Sequence, residues 1–136
     1  MRAVTTEGAP AALGTYSQAT VCGRTIYTAG QIGLDPKTML LVDGAEQQIR
    51  RVIDNIAAIC ASTDCRLGDI ARMTVYLVDA SHWPLVNKVM AEYFEAPFPA
   101  RTAVGVAWLP LGAVVEIEAV IVSRGVVGRK SGALGR

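Results

Sequence analysis

Residues 113–123, AVVEIEAVIVS, decide the fold. Side chains alternate along them: Val115, Ile117, Ala119 and Ile121 point one way, Glu116, Glu118, Val120 and Val122 the other. This is a strand with one fully apolar face and one mixed face. Just upstream, residues 101–108 (RTAVGVAW) alternate as well, with Val104, Val106 and Trp108 opposite Arg101, Ala103, Gly105 and Ala107. Leu109-Pro110-Leu111-Gly112 lies between the two runs and has turn chemistry, so the spacing predicts one long hairpin of 101–108 with 113–123.

Working outward, residues 16–29 (YSQATVCGRTIYTA) read as two short strands joined at Cys22-Gly23-Arg24, being rich in Thr, Val, Ile and Tyr. Asp43-Gly44-Ala45-Glu46 has the spacing of a capping box. Behind it Ile49, Val52, Ile53, Ile56 and Cys60 form the apolar stripe of a helix. Residues 69–79 alternate Met73, Val75 and Leu77 against Arg72, Thr74 and Tyr76, again a strand. A second helix spans about 81–94, where Pro84 is tolerated only in the first turn, and Pro97 and Pro99 end it. The order is strand, strand, helix, strand, helix, strand, strand: an α+β single sheet with two helices packed on one face. Two helices cover one face only. The other carries Val120, Val122 and small residues, too apolar to remain wet over a large area. Burying a few hundred Å² there contributes several kcal/mol at ~25 cal/mol per Å², which predicts an obligate oligomer.

At 136 residues the chain has the size of one domain, assigned to 1–123, with 124–136 as a Gly-rich basic C-terminal tail. Its 51% hydrophobic and 18% charged residues exclude a disordered chain. A formal charge of +1 gives no footprint for nucleic acid. No apolar run approaches the ~18–20 residues of a membrane span, and residues 1–10 have no apolar signal core. Cys22, Cys60 and Cys65 have neither disulfide nor zinc spacing and read as core thiols; His82 is the one histidine and reads as a surface residue. The expectation is a cytoplasmic, reduced protein with no metal, no cofactor, no nucleic-acid partner and no membrane contact.

The hairpin pairs positions whose numbers sum to about 220, bringing Arg101 within a residue or two of Glu118 on the face of Ala103 and Gly105. Small side chains there leave room above the sheet. Arg101 and Glu118 either neutralise each other as a cross-strand pair, or the guanidinium is left to grip a carboxylate by two parallel hydrogen bonds. Tyr16 and Asn87 have structural readings beside binding ones. Gly30 and Gly33 match no phosphate-binding fingerprint and suit a tight turn.

Gly14-Thr15-Tyr16-Ser17-Gln18-Ala19, Thr28-Ala29-Gly30-Gln31-Ile32, Asp54-Asn55-Ile56, Val86-Asn87 with Tyr93-Phe94, Phe98-Pro99-Ala100-Arg101-Thr102 and Glu116-Ile117-Glu118-Ala119 together resemble the Rid (YjgF) family of reactive-intermediate deaminases. The resemblance runs in order from about residue 7 to residue 123. It implies a chorismate-mutase-like fold assembled as a homotrimer, with active sites in the clefts between subunits. It also implies hydrolysis of 2-enamino and 2-imino acids, such as 2-aminoacrylate and 2-iminopropanoate, to 2-oxo acids and ammonia. By the same resemblance Arg101 binds the substrate carboxylate, Glu118 orients the water, and Tyr16, Asn87 and Gly30 line the cleft. Ala103 stands where members often carry Cys, keeping the backbone N–H as a substrate contact. Gly105 and Trp108 stand where a Glu and an Arg are usual. A different class of function would be a non-catalytic regulator binding small carboxylates in the same cleft. RNA cleavage, attached to relatives, is disfavoured by the near-neutral charge and the lone histidine.

Overall fold

A computed structural model describes residues 1–125, so most of the expected 124–136 tail lies outside the described residues. The strands are β1 (Arg2–Val4), β2 (Ala19–Cys22), β3 (Thr25–Thr28), β4 (Ile70–Leu77), β5 (Ala100–Gly105) and β6 (Val115–Val122); the helices are α1 (Ala45–Ser62) and α2 (Trp83–Tyr93). All six strands form one sheet in the order β1-β2-β3-β6-β4-β5, antiparallel except for the parallel pair β4–β5. The β2–β3 hairpin turns at Gly23, whose φ of 62° suits glycine. The edge strand β1 has no counterpart in the sequence reading.

The alternation read along β6 holds. Val115, Ile117, Ala119 and Ile121 are buried with Met73, Val75 and Leu77 of β4 against Ile49, Val52, Ile53, Ile56 and Cys60 of α1 and Val86, Val89 and Met90 of α2. That interior row makes a single core on one face of the sheet. The opposite face carries Tyr27, Thr74, Tyr76, Val104, Glu116, Glu118 and Val122, and Tyr27, Val104 and Val122 are exposed there.

Two local expectations fail. No capping box forms at α1: Gly44 is the N-cap with φ 90°, no side chain caps the helix, and Glu46 turns outward to Arg50 and Lys88. More consequentially, residues 101–108 and 113–123 do not form a hairpin. β6 lies between β3 and β4, and β5 pairs with the far edge of β4. The cause is the helix between β4 and β5: a strand–helix–strand connection returns parallel beside its first strand. The chain from Gly105 to β6 then crosses the end of β4, where the Val106 N–H donates to Leu77 O and the Val78 N–H to Val114 O. A turn at Pro110–Gly112, with Leu111 at φ 58° and Gly112 at φ 75°, reverses it.

Candidate active site

Because β4 intervenes, Arg101 and Glu118 are not neighbours. Arg101 is in register with Met73 on the helix-covered face, and Glu118 with Thr74 on the open face. The expected cross-strand ion pair is thereby excluded within one protomer, and with it the shared face. Side chains singled out in the sequence fall into separate groups.

One group is built around the loop after β3. Gln31 exchanges backbone hydrogen bonds with Ile117, its N–H donating at 2.8 Å and its carbonyl accepting at 3.0 Å, which pins Gly30 beside β6. From the other side the fully buried Asn55 of α1 donates to Ile32 O and Leu34 O, at 3.3 and 3.0 Å. At Gly33 any Cβ would press on Gln48 of α1. The loop is therefore clamped between helix and strand. Gly30 is glycine because of a neighbour, not because of a turn: a Cβ there would collide with the Glu116 carboxylate. Tyr16 and Glu116 face the same cavity of about 570 Å³, whose walls include Leu13, Ile32, Leu34 and Leu111. The Tyr16 hydroxyl accepts from the Leu13 N–H at 3.3 Å. The buried Gln18 holds the N-terminal wall, accepting from the Thr6 N–H and donating to Thr6 O, Ala9 O and Pro10 O. Gln48 does the same for the start of β6, accepting from the Val114 N–H at 2.9 Å.

Glu116 is the residue the sequence reading passed over. Burial, and then the nearby Glu118 carboxylate, hold its pKa above the ordinary range. A carboxylate poised upward in a cavity beside a tyrosine is suited to accept a proton. The signal was present in the alternation, since Glu116 and Glu118 share a face; only the position of Gly30 distinguishes them. Glu118 instead lines a shallow cleft with Tyr27, Arg72 and Thr74. Burial, followed by Glu118 and then Glu116, pushes the neighbouring Tyr76 phenol up.

A further group stands at the β5 edge. Arg101 and Asn87 line a cavity of about 370 Å³ with Met90, Ala91, Phe98 and Pro99. The guanidinium lies 4.4 Å from the Trp83 ring centroid and donates to Met90 Sδ at 3.3 Å. Among the described residues no carboxylate pairs with it. Such a cation, oriented by soft neighbours and unneutralised, is suited to a planar anion. Ala103 lies two residues on, in a separate hollow beside Trp83.

The remaining candidates are corrected in part. Cys60 and Cys65 are buried, and burial pushes the Cys60 thiol up to about 12, but Cys22 is exposed at the end of β2. His82 is half-buried rather than a surface residue, with Nδ1 lacking a partner. Among the described residues no cluster of three potential metal ligands occurs, and no helix is long and apolar enough to cross a membrane.

Comparison with known proteins bears on this geometry. The family model described as Endoribonuclease L-PSP matches residues 6–123. A goat (Capra hircus) protein named 2-iminobutanoate/2-iminopropanoate deaminase is 43% identical over 122 residues, 89% of either chain. Its human counterpart by name is 40% identical with the same coverage. Among solved structures, RidA from an Antarctic Psychrobacter superposes with a TM-score of 0.88 at 44% identity, covering 90% of this chain and 99% of that one. The Escherichia coli protein TdcF with bound serine superposes at 0.85 and 33% identity, covering 90% and 98%.

Proposed function

The chain belongs to the Endoribonuclease L-PSP family, the Rid (YjgF) family its motifs resemble, and from that premise we propose that it is a 2-imino acid deaminase. The substrate is a 2-imino acid or its 2-enamino tautomer. Water adds to C2 of R–C(=NH2⁺)–COO⁻, and the carbinolamine collapses to R–C(=O)–COO⁻ and ammonium. The iminium carbon is already electrophilic, so positioning and proton transfer suffice and no covalent nucleophile is needed.

The observation that carries this proposal is the unneutralised guanidinium of Arg101, held over Trp83 at the wall of a cavity. Arg101 grips the substrate carboxylate, aided by the backbone N–H of Ala103, and Asn87 closes the wall. The serine bound in TdcF also carries an α-carboxylate, which supports an acid-binding role for the matching fold. Glu116 takes the proton of the attacking water and returns it to the departing nitrogen; its raised pKa suits both transfers. Tyr16 hydrogen-bonds water or substrate beside it, and Gly30 leaves the space. This assigns to Glu116 the role the resemblance had given Glu118, because Glu116 is the carboxylate that shares a cavity with Tyr16 and Gly30.

Arg101 and Glu116 lie on opposite faces of one sheet, so a complete site needs a second copy of the chain. A homotrimer would supply it: the open face, on which one protomer exposes Tyr27, Val104 and Val122, would be covered, and the β5 edge of one protomer would meet the Glu116 cavity of the next. Substitution Arg101→Ala is expected to lower turnover of 2-iminopropanoate by about a hundredfold to ten-thousandfold, two charge-assisted bonds being lost, with the oligomer intact by light scattering. Native turnover in that variant would sink the assignment. Binding of 2-oxo acids by calorimetry without any imine hydrolysis would instead favour the regulator.

A further inference from the structure

Beside the Arg101 anchor lies a hollow from which the hydrolysis draws only the backbone N–H of Ala103. Ala103 and Gly105 follow Arg101 on the same face of edge strand β5. Together with Leu77, Ala80, Trp83 and Val104 they wall a cavity of about 270 Å³. Trp83 is common to both places, since the ring that carries the guanidinium at 4.4 Å also lines the hollow.

The walls decide what the hollow accepts. None of the six lining residues carries a charge, and the only polar side-chain atom is the indole N–H of Trp83. Apart from the Ala103 N–H assigned to the carboxylate, a charged or strongly polar group would find no side-chain partner there but the indole N–H. A hydrocarbon group would gain contact instead. Nor does the same protomer fill the space: a Cβ at Gly105 would find Leu77 O at 3.9 Å as its nearest neighbour. Two positions along a strand span about 7 Å, so a side chain of three or four carbons on an acid held at Arg101 reaches the Ala103 end of the hollow, whose far wall is Gly105.

We propose that this hollow is the subsite for the substrate's side chain, and that the protein selects 2-imino acids with branched aliphatic or aromatic side chains over 2-iminopropanoate. The inference rests on the deaminase reading above and extends it to specificity. The chemistry is unchanged: water enters, ammonium leaves, and the apolar group is untouched.

The test uses the full-length protein and imines generated in situ by an amino-acid oxidase from alanine, leucine and phenylalanine, with residual imine trapped by semicarbazide. The wild type is expected to favour the leucine- and phenylalanine-derived imines by about tenfold or more in kcat/KM. Gly105→Val, which fills the hollow from β5, is expected to bring that ratio close to one. Ala80→Leu fills it from the opposite wall and serves as the second variant if the first fails to fold by circular dichroism. A wild type that shows no preference, or a preference that survives in the folded filled variants, overturns the subsite. If the wild type deaminates none of the three imines, the deaminase reading falls, and the subsite with it.

Discussion

Glu116 and Glu118 are two residues apart on one strand, on one face, and only their surroundings separate them. Glu116 is packed against Gly30 in the Tyr16 cavity, whereas Glu118 looks onto Thr74 and Tyr27. The pH dependence of kcat/KM distinguishes them. A base whose pKa is raised above the ordinary 4.5 is competent above that raised value and loses its function as pH falls through it. Burial is the main cause of the elevation and the Glu118 charge the second. Glu118→Gln therefore removes one repulsive charge, and the acid limb is expected to move to lower pH with turnover retained. Glu116→Gln is expected to abolish the limb together with about a hundredfold or more of the rate. The reverse pattern, with Glu118→Gln inactive and Glu116→Gln native, would return the role to Glu118.

The elements were legible where pattern alone creates them. The stripe along α1 and the alternation of β4 and β6 follow from burying one side of a repeating backbone, and each buried residue named from them lies in the core. Pairing between elements was less legible. The hairpin expectation assumed that strands adjacent in sequence pair, but the nine residues between Gly105 and Val115 are a crossover, and β4 takes the place beside β6. The strand–helix–strand order of β4, α2 and β5 was the available clue. The loop after β3 also depends on its neighbours. Asn55 supports it from inside α1 with two hydrogen bonds, so Asn55→Leu leaves the carbonyls of Ile32 and Leu34 without that donor. The expected cost is about 1–3 kcal/mol in chemical denaturation, with a parallel drop in kcat as Gly30 and Glu116 lose register. Unchanged stability would mean that the β6 bridge at Gln31 holds the loop alone.

At the scale of the whole molecule the distribution of the candidate residues predicts sharing between copies. Neither Arg101→Ala nor Glu116→Gln should be active alone. Refolded together at equal concentration, the two inactive chains are expected to recover about a quarter of native activity, because one site in four combines an intact guanidinium with an intact carboxylate from the neighbouring copy. A mixture that stays inactive, with exchange of subunits verified by mass spectrometry, would mean that one protomer supplies both groups. The sequence by itself determined the amphipathic elements, the α+β class and the unbalanced sheet, because each follows from local periodicity and the need to cover apolar area. The tertiary structure alone decided which face Arg101 occupies, that Glu116 rather than Glu118 meets Gly30, and that a hollow opens at Gly105. Strand order and the close approach of distant backbones are set by packing the chain as a whole, and no short-range pattern encodes them.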